Sequence, residues 1–159
     1  MSVKQQIGLD GLASDTTRTF ASDTSSGAAT EDSVTANFIS IEKQLLDEAI
    51  TVSNAILAFP KWKDISARGI ERREEFESRA LSLRNRSMDI YRQIRNLNPP
   101  NEERMHYELL LAAADNLRLA GYETHFQFGQ DDSSGDNLNR AMIYAAQARA
   151  AFLQLKEQL

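Results

Sequence analysis

The chain of 159 residues contains no cysteine and only three prolines. The lack of thiols excludes disulfides, thiolate nucleophiles and zinc sites built on cysteine. No stretch approaches the roughly 20 consecutive apolar residues that cross a bilayer, and no apolar run after Lys4 could form the core of a signal peptide. We therefore expect a cytoplasmic protein without a transmembrane segment. The alternative is an exported or envelope-associated protein whose leader is not present in this chain.

The sequence also has little that could carry catalysis. It contains no glycine-rich phosphate loop, no GxSxG and no HExxH. The two histidines, His106 and His125, lie about 28 Å apart along one predicted helix, so they cannot share an ion. The net charge of −5 disfavours a dedicated nucleic-acid-binding protein, because such proteins must neutralise phosphates. We expect a protein that is not an enzyme, with no catalytic residues and no cofactor.

Residues 1–32 differ in composition from the remainder. They are rich in Ser, Thr, Asp, Ala and Gly, and their few apolar residues show no sustained period. Such a segment cannot bury enough apolar surface to offset its conformational entropy. We therefore predict a disordered or extended N-terminal tail over residues 1–32 and a folded domain over residues 33–159.

From Ser33 onward, apolar residues recur every three or four positions, which predicts amphipathic helices. The first predicted seam ends before Pro60 and consists of Phe38, Ile41, Leu45, Ala49, Val52, Ile56 and Phe59. The second consists of Phe76, Ala80, Leu83, Ser87, Ile90, Ile94 and Leu97. Gly69 precedes it and predicts a kink or a short separate turn, because glycine weakens a helix by about 1 kcal/mol relative to alanine.

Two further helices complete the predicted domain. The third, from about Pro99 to Gln127, carries Leu110, Ala113, Leu117 and Ala120, with Leu109, Ala114 and Gly121 beside them. Its small residues let a neighbouring helix approach closely. The fourth begins near Asp136 and carries Leu138, Ala141, Ala145, Ala148, Phe152, Leu155 and Leu159. Seams with a period near 3.5 and short connections predict an all-α, up-down-up-down four-helix bundle.

The start of the third helix, NPPNEERMHYELL, raises the question of a metal site. Asn98 is a predicted N-cap, with Pro99 at the first helical position and acidic residues in the first turn. Glu103 and His106 resemble half of a di-iron motif, which needs a second Glu-x-x-His that the chain lacks. The predicted N-terminus of the first helix and C-terminus of the fourth offer as further carboxylates only Glu31, Asp32 and Glu157. We therefore predict no metal site, and His106 is expected to form a hydrogen bond at the end of a seam.

The up-down order also predicts that aromatic residues gather at one end of the bundle. The expected members of this aromatic end are Phe59, Trp62, Ile65, Tyr122, Phe126, Phe128 and Met142. If exposed, these side chains would form a binding patch for a partner or the mouth of a ligand pocket. If buried, they would close the end of the core, which we favour. The candidate binding residues are Phe59, Trp62, Tyr122, Phe126 and Phe128.

The predicted second helix is rich in arginine. Residues 61–97 contain ten basic and six acidic residues, a net +4, whereas residues 98–134 contain two basic and seven acidic, a net −5. The arginines could contact RNA, acidic lipid or an acidic protein. Acidic residues such as Glu71 and Glu75 lie at helical spacing from them, so we favour a solvated, salt-bridged face.

The stretch IRNLNPPNEERMHYELLLAAADNL, followed by DNLNRAMIYAAQARAAFLQL, resembles uncharacterised bacterial helical-bundle proteins. In these proteins a Leu-x-Pro-Pro turn precedes a histidine-bearing helix, and an alanine-rich helix follows. The resemblance covers about the last 70 residues and implies a bundle, often associated with the cell envelope, but no activity. We expect a non-enzymatic interaction or structural module that contacts a protein partner or itself. The alternative is a ligand- or metal-binding bundle that uses the His106 end or the aromatic end.

Overall fold

The computed structural model describes residues 33–129 and 135–159, which are helical apart from short connections and contain no strand. The first helix, α1, includes residues 33–57. The other helices are α2 (Trp62–Ser66), α3 (Ile70–Arg95), α4 (Arg104–Phe126) and α5 (Asp136–Glu157). A 3₁₀ turn, Asn101–Glu103, leads into α4. The predicted all-α class is confirmed.

Contacts divide the chain into two compact units, Met1–Asn37 and Phe38–Leu159. Of the first unit the structure describes residues 33–37, which are helical. The predicted tail over residues 1–32 lies outside the described residues, as does most of the predicted loop between α4 and α5. The second unit contains the core of the bundle.

Side-chain contacts show that α1 and α5 run antiparallel. Arg149 donates a hydrogen bond of 2.6 Å to the side-chain oxygen of Asn54, and the Lys156 ammonium lies 2.7 Å from the Asp47 carboxylate. A step of seven residues forward along α5, from 149 to 156, thus corresponds to a step of seven residues back along α1, from 54 to 47. Both pairs are exposed, so they contribute at most about 1 kcal/mol each and mainly report the register of the two helices.

The remaining long helices are antiparallel as well. Arg84 of α3 contacts His125 near the end of α4, whereas the Tyr107 hydroxyl near its start donates to the Arg95 carbonyl at 3.0 Å. Between α4 and α5, Asn137 donates to the Glu123 carboxylate at 2.8 Å. Because each successive long helix reverses direction, the predicted up-down-up-down order is confirmed.

The predicted seams of α3, α4 and α5 form most of the core. Buried members include Phe76, Leu83, Ile90, Ile94, Leu110, Leu117, Ala145, Ala148, Phe152 and Leu155. Alanine is frequent on α4 and α5, and Gly121 lies against Ser87 of α3. The absence of a side chain at Gly121 allows α3 and α4 to approach closely, as the small residues of this seam predicted.

The predicted burial of two seam residues is wrong. Ile41 is exposed, and Glu42 occupies the core position instead, with no accessible surface. The buried positions 38, 42, 45, 49, 52, 56 and 59 alternate by four and three, so the heptad repeat selects residue 42 although it is charged. Leu159 is also exposed, because it lies beyond the end of α5 at Glu157, where no further helical turn holds it.

The predicted helix start at Pro99, capped by Asn98, is also wrong. The 3₁₀ turn begins at Asn101, and Pro100 precedes it in an extended conformation, with φ −59° and ψ 155°. A residue before proline is driven away from helical geometry, so Pro99 cannot begin a helix when Pro100 follows it. The predicted end at Gln127 is close to the observed end of α4 at Phe126.

Gly69 separates α2 from α3, which confirms the predicted short separate turn. Its φ of +93° lies in the region that favours glycine. The change of direction at Gly69 places α2 as a short helix before α3, with Ile65 fully buried. The segment from Phe59 to Gly69, which contains α2, therefore closes one end of the bundle.

Candidate functional site

At the end of the bundle where α4 begins, His106 meets Glu42 of α1. A hydrogen bond joins His106 Nε2 to Glu42 Oε1. The Glu42 side chain is fully buried, and 14% of the His106 side chain is exposed. The second carboxylate oxygen, Oε2, is buried without a hydrogen-bond partner. The pair thus joins two helices, and one of its polar atoms is left unsatisfied.

Burial determines the titration of Glu42. Loss of hydration raises the pKa of its carboxyl group, whereas the neighbouring His106 lowers it and the negative charge of Glu103 raises it further. The result is a pKa above the ordinary value of 4.5. A carboxyl of this kind holds its proton more strongly than a surface glutamate.

The same arrangement bears on the metal-site question. Glu42 places a carboxylate of α1 next to His106. The sequence had predicted only Glu31 and Asp32 as candidate carboxylates from this end of the first helix. Nevertheless, the residues described by the structure contain no group of three His, Asp or Glu side chains that could hold an ion. Of the other carboxylates considered, Glu31 and Asp32 lie outside the described residues. Glu157 is exposed on the last turn of α5.

Sequence reasoning missed Glu42, although a signal for it was present. A strict alternation of four and three from Phe38 leads to residue 42 and then to Leu45. Ile41 was preferred because it is apolar. A charged residue at a core position of an otherwise regular heptad is the pattern that identifies a buried ionisable group.

The predicted aromatic end is divided into two groups of rings. Phe59 contacts Phe76 and Phe128 edge-to-face, with centroids 6.2 Å apart in each case, and Trp62 contacts Phe128 at 5.4 Å. Phe59 and Phe128 are buried and Trp62 is half-buried. Tyr122 and Phe126 stack on each other at 5.3 Å instead, and Tyr122 is exposed. The first group fills the end of the core, and the second lies on α4.

The Tyr122–Phe126 pair adjoins a polar cluster. The Arg84 guanidinium lies 5.1 Å from the centre of the Tyr122 ring and 3.1 Å from Nδ1 of His125. Since arginine can only donate, His125 Nδ1 accepts the hydrogen bond, and the imidazole is neutral. Burial and the charge of Arg84 both lower the pKa of His125. The cluster therefore joins α3 to α4 through a hydrogen bond that favours the neutral imidazole.

The arginines of α3 serve several structural purposes. Arg72 pairs with Glu75 at 2.8 Å on the exposed surface. Arg73 and Arg79 lie over the rings of Trp62 and Phe76, at 5.0 and 5.1 Å from the ring centres. These contacts cover the aromatic end with the stems and charged heads of arginines. The arginine-bearing side of α3 thus partly covers the aromatic rings and is partly solvated.

A different surface stands out by its apolar character, on the sides of α4 and α5 that point away from the core. Met105, Leu109 and Ile143 are 80%, 56% and 57% exposed. We call this surface the outer α4–α5 face; on α4 and α5 its members are Met105, Leu109, Ala112, Asn116, Leu119, Phe126, Ile143, Gln147, Ala150 and Gln154. Its ten positions carry no formal charge.

The chain matches no protein-family model, no curated protein and no solved structure. A function can therefore be inferred only from the residues of the chain itself. None of the helices that the structure describes contains a stretch long and apolar enough to span a membrane.

Proposed function

We propose that the protein is a non-enzymatic helical module that acts through contacts with proteins, other copies of itself included. The observation that carries this proposal is the outer α4–α5 face, where large apolar side chains remain in water after the bundle has formed. Contiguous apolar surface on a folded protein is typical of interaction sites. The core does not need these residues, because each helix already buries a complete inward seam.

The ionisable groups inside the bundle support a structural role for its interior. Glu42 is fully buried against His106, and neither oxygen is accessible to a substrate. His125 is held neutral by Arg84. A general acid or base must reach the proton that it transfers. These two histidines instead join helices, which agrees with a module that presents a surface.

The proposal is tested by a photo-crosslinking amino acid placed at Leu109, in the full chain and in extract of the native cells. We expect covalent protein adducts from position 109 and none above background from Leu81, a matched exposed leucine on α3. Adducts at position 109 should be lost when Ile143→Glu is added. Equal labelling at both positions, or no adduct at 109, would contradict the proposal.

A ligand- or metal-binding bundle is the rival function, and one observation favours it. His106 and the unpartnered oxygen of Glu42 are two groups of the kind that bind cations, on two helices. Elemental analysis of protein purified without a histidine tag distinguishes the functions. One metal ion per chain, lost in His106→Ala, would favour the rival, and metal below a tenth of that level would leave interaction as the better explanation.

A further inference from the structure

The outer α4–α5 face has a chemical character suited to contact with its own copy. Its polar members, Asn116, Gln147 and Gln154, are all amides, which both donate and accept hydrogen bonds. An amide can therefore pair with the same amide of a second chain, whereas a carboxylate or a guanidinium would repel its copy. This choice of polar residues favours self-association over an acidic or basic partner.

Two of the carboxylates next to the face are paired within the chain, whereas a third, Glu108, is exposed one helical turn from both Met105 and Ala112. Glu123 interrupts the α4 stripe, and Arg140 of α5 contacts its carboxylate at 3.3 Å. Asp115 beside the stripe binds Arg118 at 2.6 Å. A second chain can therefore approach without leaving either carboxylate facing an identical charge alone. For a chain with net charge −5, these two pairs reduce the electrostatic repulsion between copies, and Glu108 leaves one negative charge beside each face.

The α4 part of the face follows a second heptad repeat, separate from the inward seam. Positions 105, 109, 112, 116 and 119 alternate by four and three. Small or polar residues, Ala112 and Asn116, occupy the middle, and larger ones lie on both sides. Two such helices packed antiparallel about this middle would approach closely there, and Leu109 of each would meet Leu119 of the other.

The extent of the face is sufficient for a weak specific interface. From Met105 to Phe126 it is about 32 Å long at 1.5 Å per residue. Two helices side by side give a width of roughly 20 Å. The α5 part, from Ile143 to Gln154, is only about 17 Å long, so the face covers on the order of 500 Å² on each chain at roughly 10 Å per helix. Two chains would bury about 1,000 Å², close to the minimum for a specific interface.

We infer that the protein forms a two-fold symmetric homodimer through the outer α4–α5 face, with the two α4 helices antiparallel and the axis near Ala112 and Asn116. The inference rests on the proposed function and specifies its partner as a second copy of the chain. A two-fold interface uses the same patch on both subunits, so each favourable contact occurs twice. Met105, Leu109 and Ile143 lose their exposure in the complex.

Light scattering coupled to size-exclusion chromatography tests the dimer with the full chain. From about 1 to 100 μM, a range that brackets a dissociation constant near 10 μM, we expect a mass approaching twice 17.8 kDa. The double variant Leu109→Glu, Ile143→Glu should elute at 17.8 kDa with the circular dichroism spectrum of the wild type. Leu81→Glu, an exposed leucine on α3 changed in the same way, should remain dimeric.

The natural absence of cysteine allows the axis to be located. The double variant Ala112→Cys, Asn116→Cys should form a disulfide-linked dimer on oxidation, because residue 112 of one chain faces residue 116 of the other and their Cα atoms come within the roughly 4.4–6.8 Å that a disulfide requires. Leu81→Cys should stay largely monomeric under the same oxidant. Equal crosslinking of the two variants would overturn the proposed arrangement.

The outcomes separate this inference from the proposed function. A wild-type chain that remains at 17.8 kDa throughout the concentration range overturns the homodimer. If photo-crosslinking at position 109 then captures a different protein, the module function stands without self-association. If it captures nothing, both fail. A dimer that persists in the Leu109→Glu, Ile143→Glu variant also overturns the inference, because the interface must then lie elsewhere.

Discussion

At the scale of single residues, Glu42 is the least ordinary group that the structure describes. A heptad position places its carboxylate among apolar side chains, and one oxygen has no partner. A buried polar atom left unsatisfied costs about 1–3 kcal/mol. His106 compensates only part of this cost, since burial is the largest influence on the carboxyl group. A charged residue at this position therefore destabilises the fold while it joins α1 to α4.

We predict that Glu42→Gln stabilises the protein near pH 7.5 by on the order of 1 kcal/mol, because it removes a buried carboxylate whose loss of hydration outweighs the attraction of His106. The pKa of Glu42 is above 4.5 in the folded state, so the native chain binds more protons than the unfolded chain between 4.5 and that raised pKa. The contribution of Glu42 to the free energy of unfolding of the wild type therefore falls as the pH rises from 4.5 to the raised pKa. Urea unfolding at several pH values measures the difference.

The difference between wild type and variant should narrow as the pH falls towards 4.5, where the wild-type carboxyl becomes protonated in the native state. In a His106→Ala background the gain from Glu42→Gln should be larger at pH 7.5, because His106 lowers the pKa of Glu42. A destabilising Gln substitution with no pH dependence would show that the ion pair stabilises the fold.

At the scale of helices, the close approach of α3 and α4 depends on Gly121. A Cβ atom there would lie 2.6 Å from Ser87 Oγ, 2.9 Å from Ser87 Cβ and 3.1 Å from the Arg84 Cα. The Ser87 hydroxyl cannot easily move away, because it donates to the Leu83 carbonyl at 2.7 Å. Glycine is thus required in the middle of α4 by the neighbouring helix, although it weakens α4 itself.

We predict that Gly121→Ala destabilises the protein by roughly 1–2 kcal/mol. Overpacking costs about 1–3 kcal/mol, and better helix propensity returns up to about 1 kcal/mol. Chemical denaturation followed by circular dichroism measures the change. Gly129→Ala is the matched control: its added methyl group would lie no closer than 3.5 Å to Phe126 O, so little change is expected. A neutral Gly121→Ala would show that α3 and α4 can separate without cost.

At the scale of the whole bundle, one end is closed by a cluster of rings that come from widely separated parts of the sequence. Phe59 follows α1, Trp62 begins α2, Phe76 lies in α3 and Phe128 follows α4. Arg73 reaches over this cluster and donates to the Phe128 carbonyl at 3.4 Å. The rings therefore hold the loops to the core, whereas Tyr122 of the separate Tyr122–Phe126 pair is exposed.

We predict that Phe128→Ala destabilises the protein by roughly 3 kcal/mol, the scale for truncating a buried phenylalanine. Phe126→Ala should cost only about 1 kcal/mol, because it loses mainly the stacking with Tyr122. Thermal and urea unfolding of both variants give the comparison. Equal costs would mean that the two groups of rings contribute alike to the core, contrary to their different burial.

The inward seams of α3, α4 and α5 followed from periodicity alone, because burial of apolar side chains dominates the free energy of folding and repeats with the helix. Pro60 and Gly69 likewise act through local backbone geometry, so their effects were predictable. The start of α4 depends on a local rule as well: Pro99 alone favours the first position of a helix, but Pro100 after it excludes helical geometry at Pro99.

The sequence by itself determined that the described part of the chain is helical, where most of its helices begin and end, and which side of α3, α4 and α5 turns inward. Only the tertiary structure decided that Glu42 meets His106, that Tyr122 separates from Phe59, and that Met105 and Leu109 remain exposed. These outcomes depend on which neighbouring helix a side chain meets and at which position along that helix. That information arises from the register between helices, whereas periodicity along one helix specifies only the face.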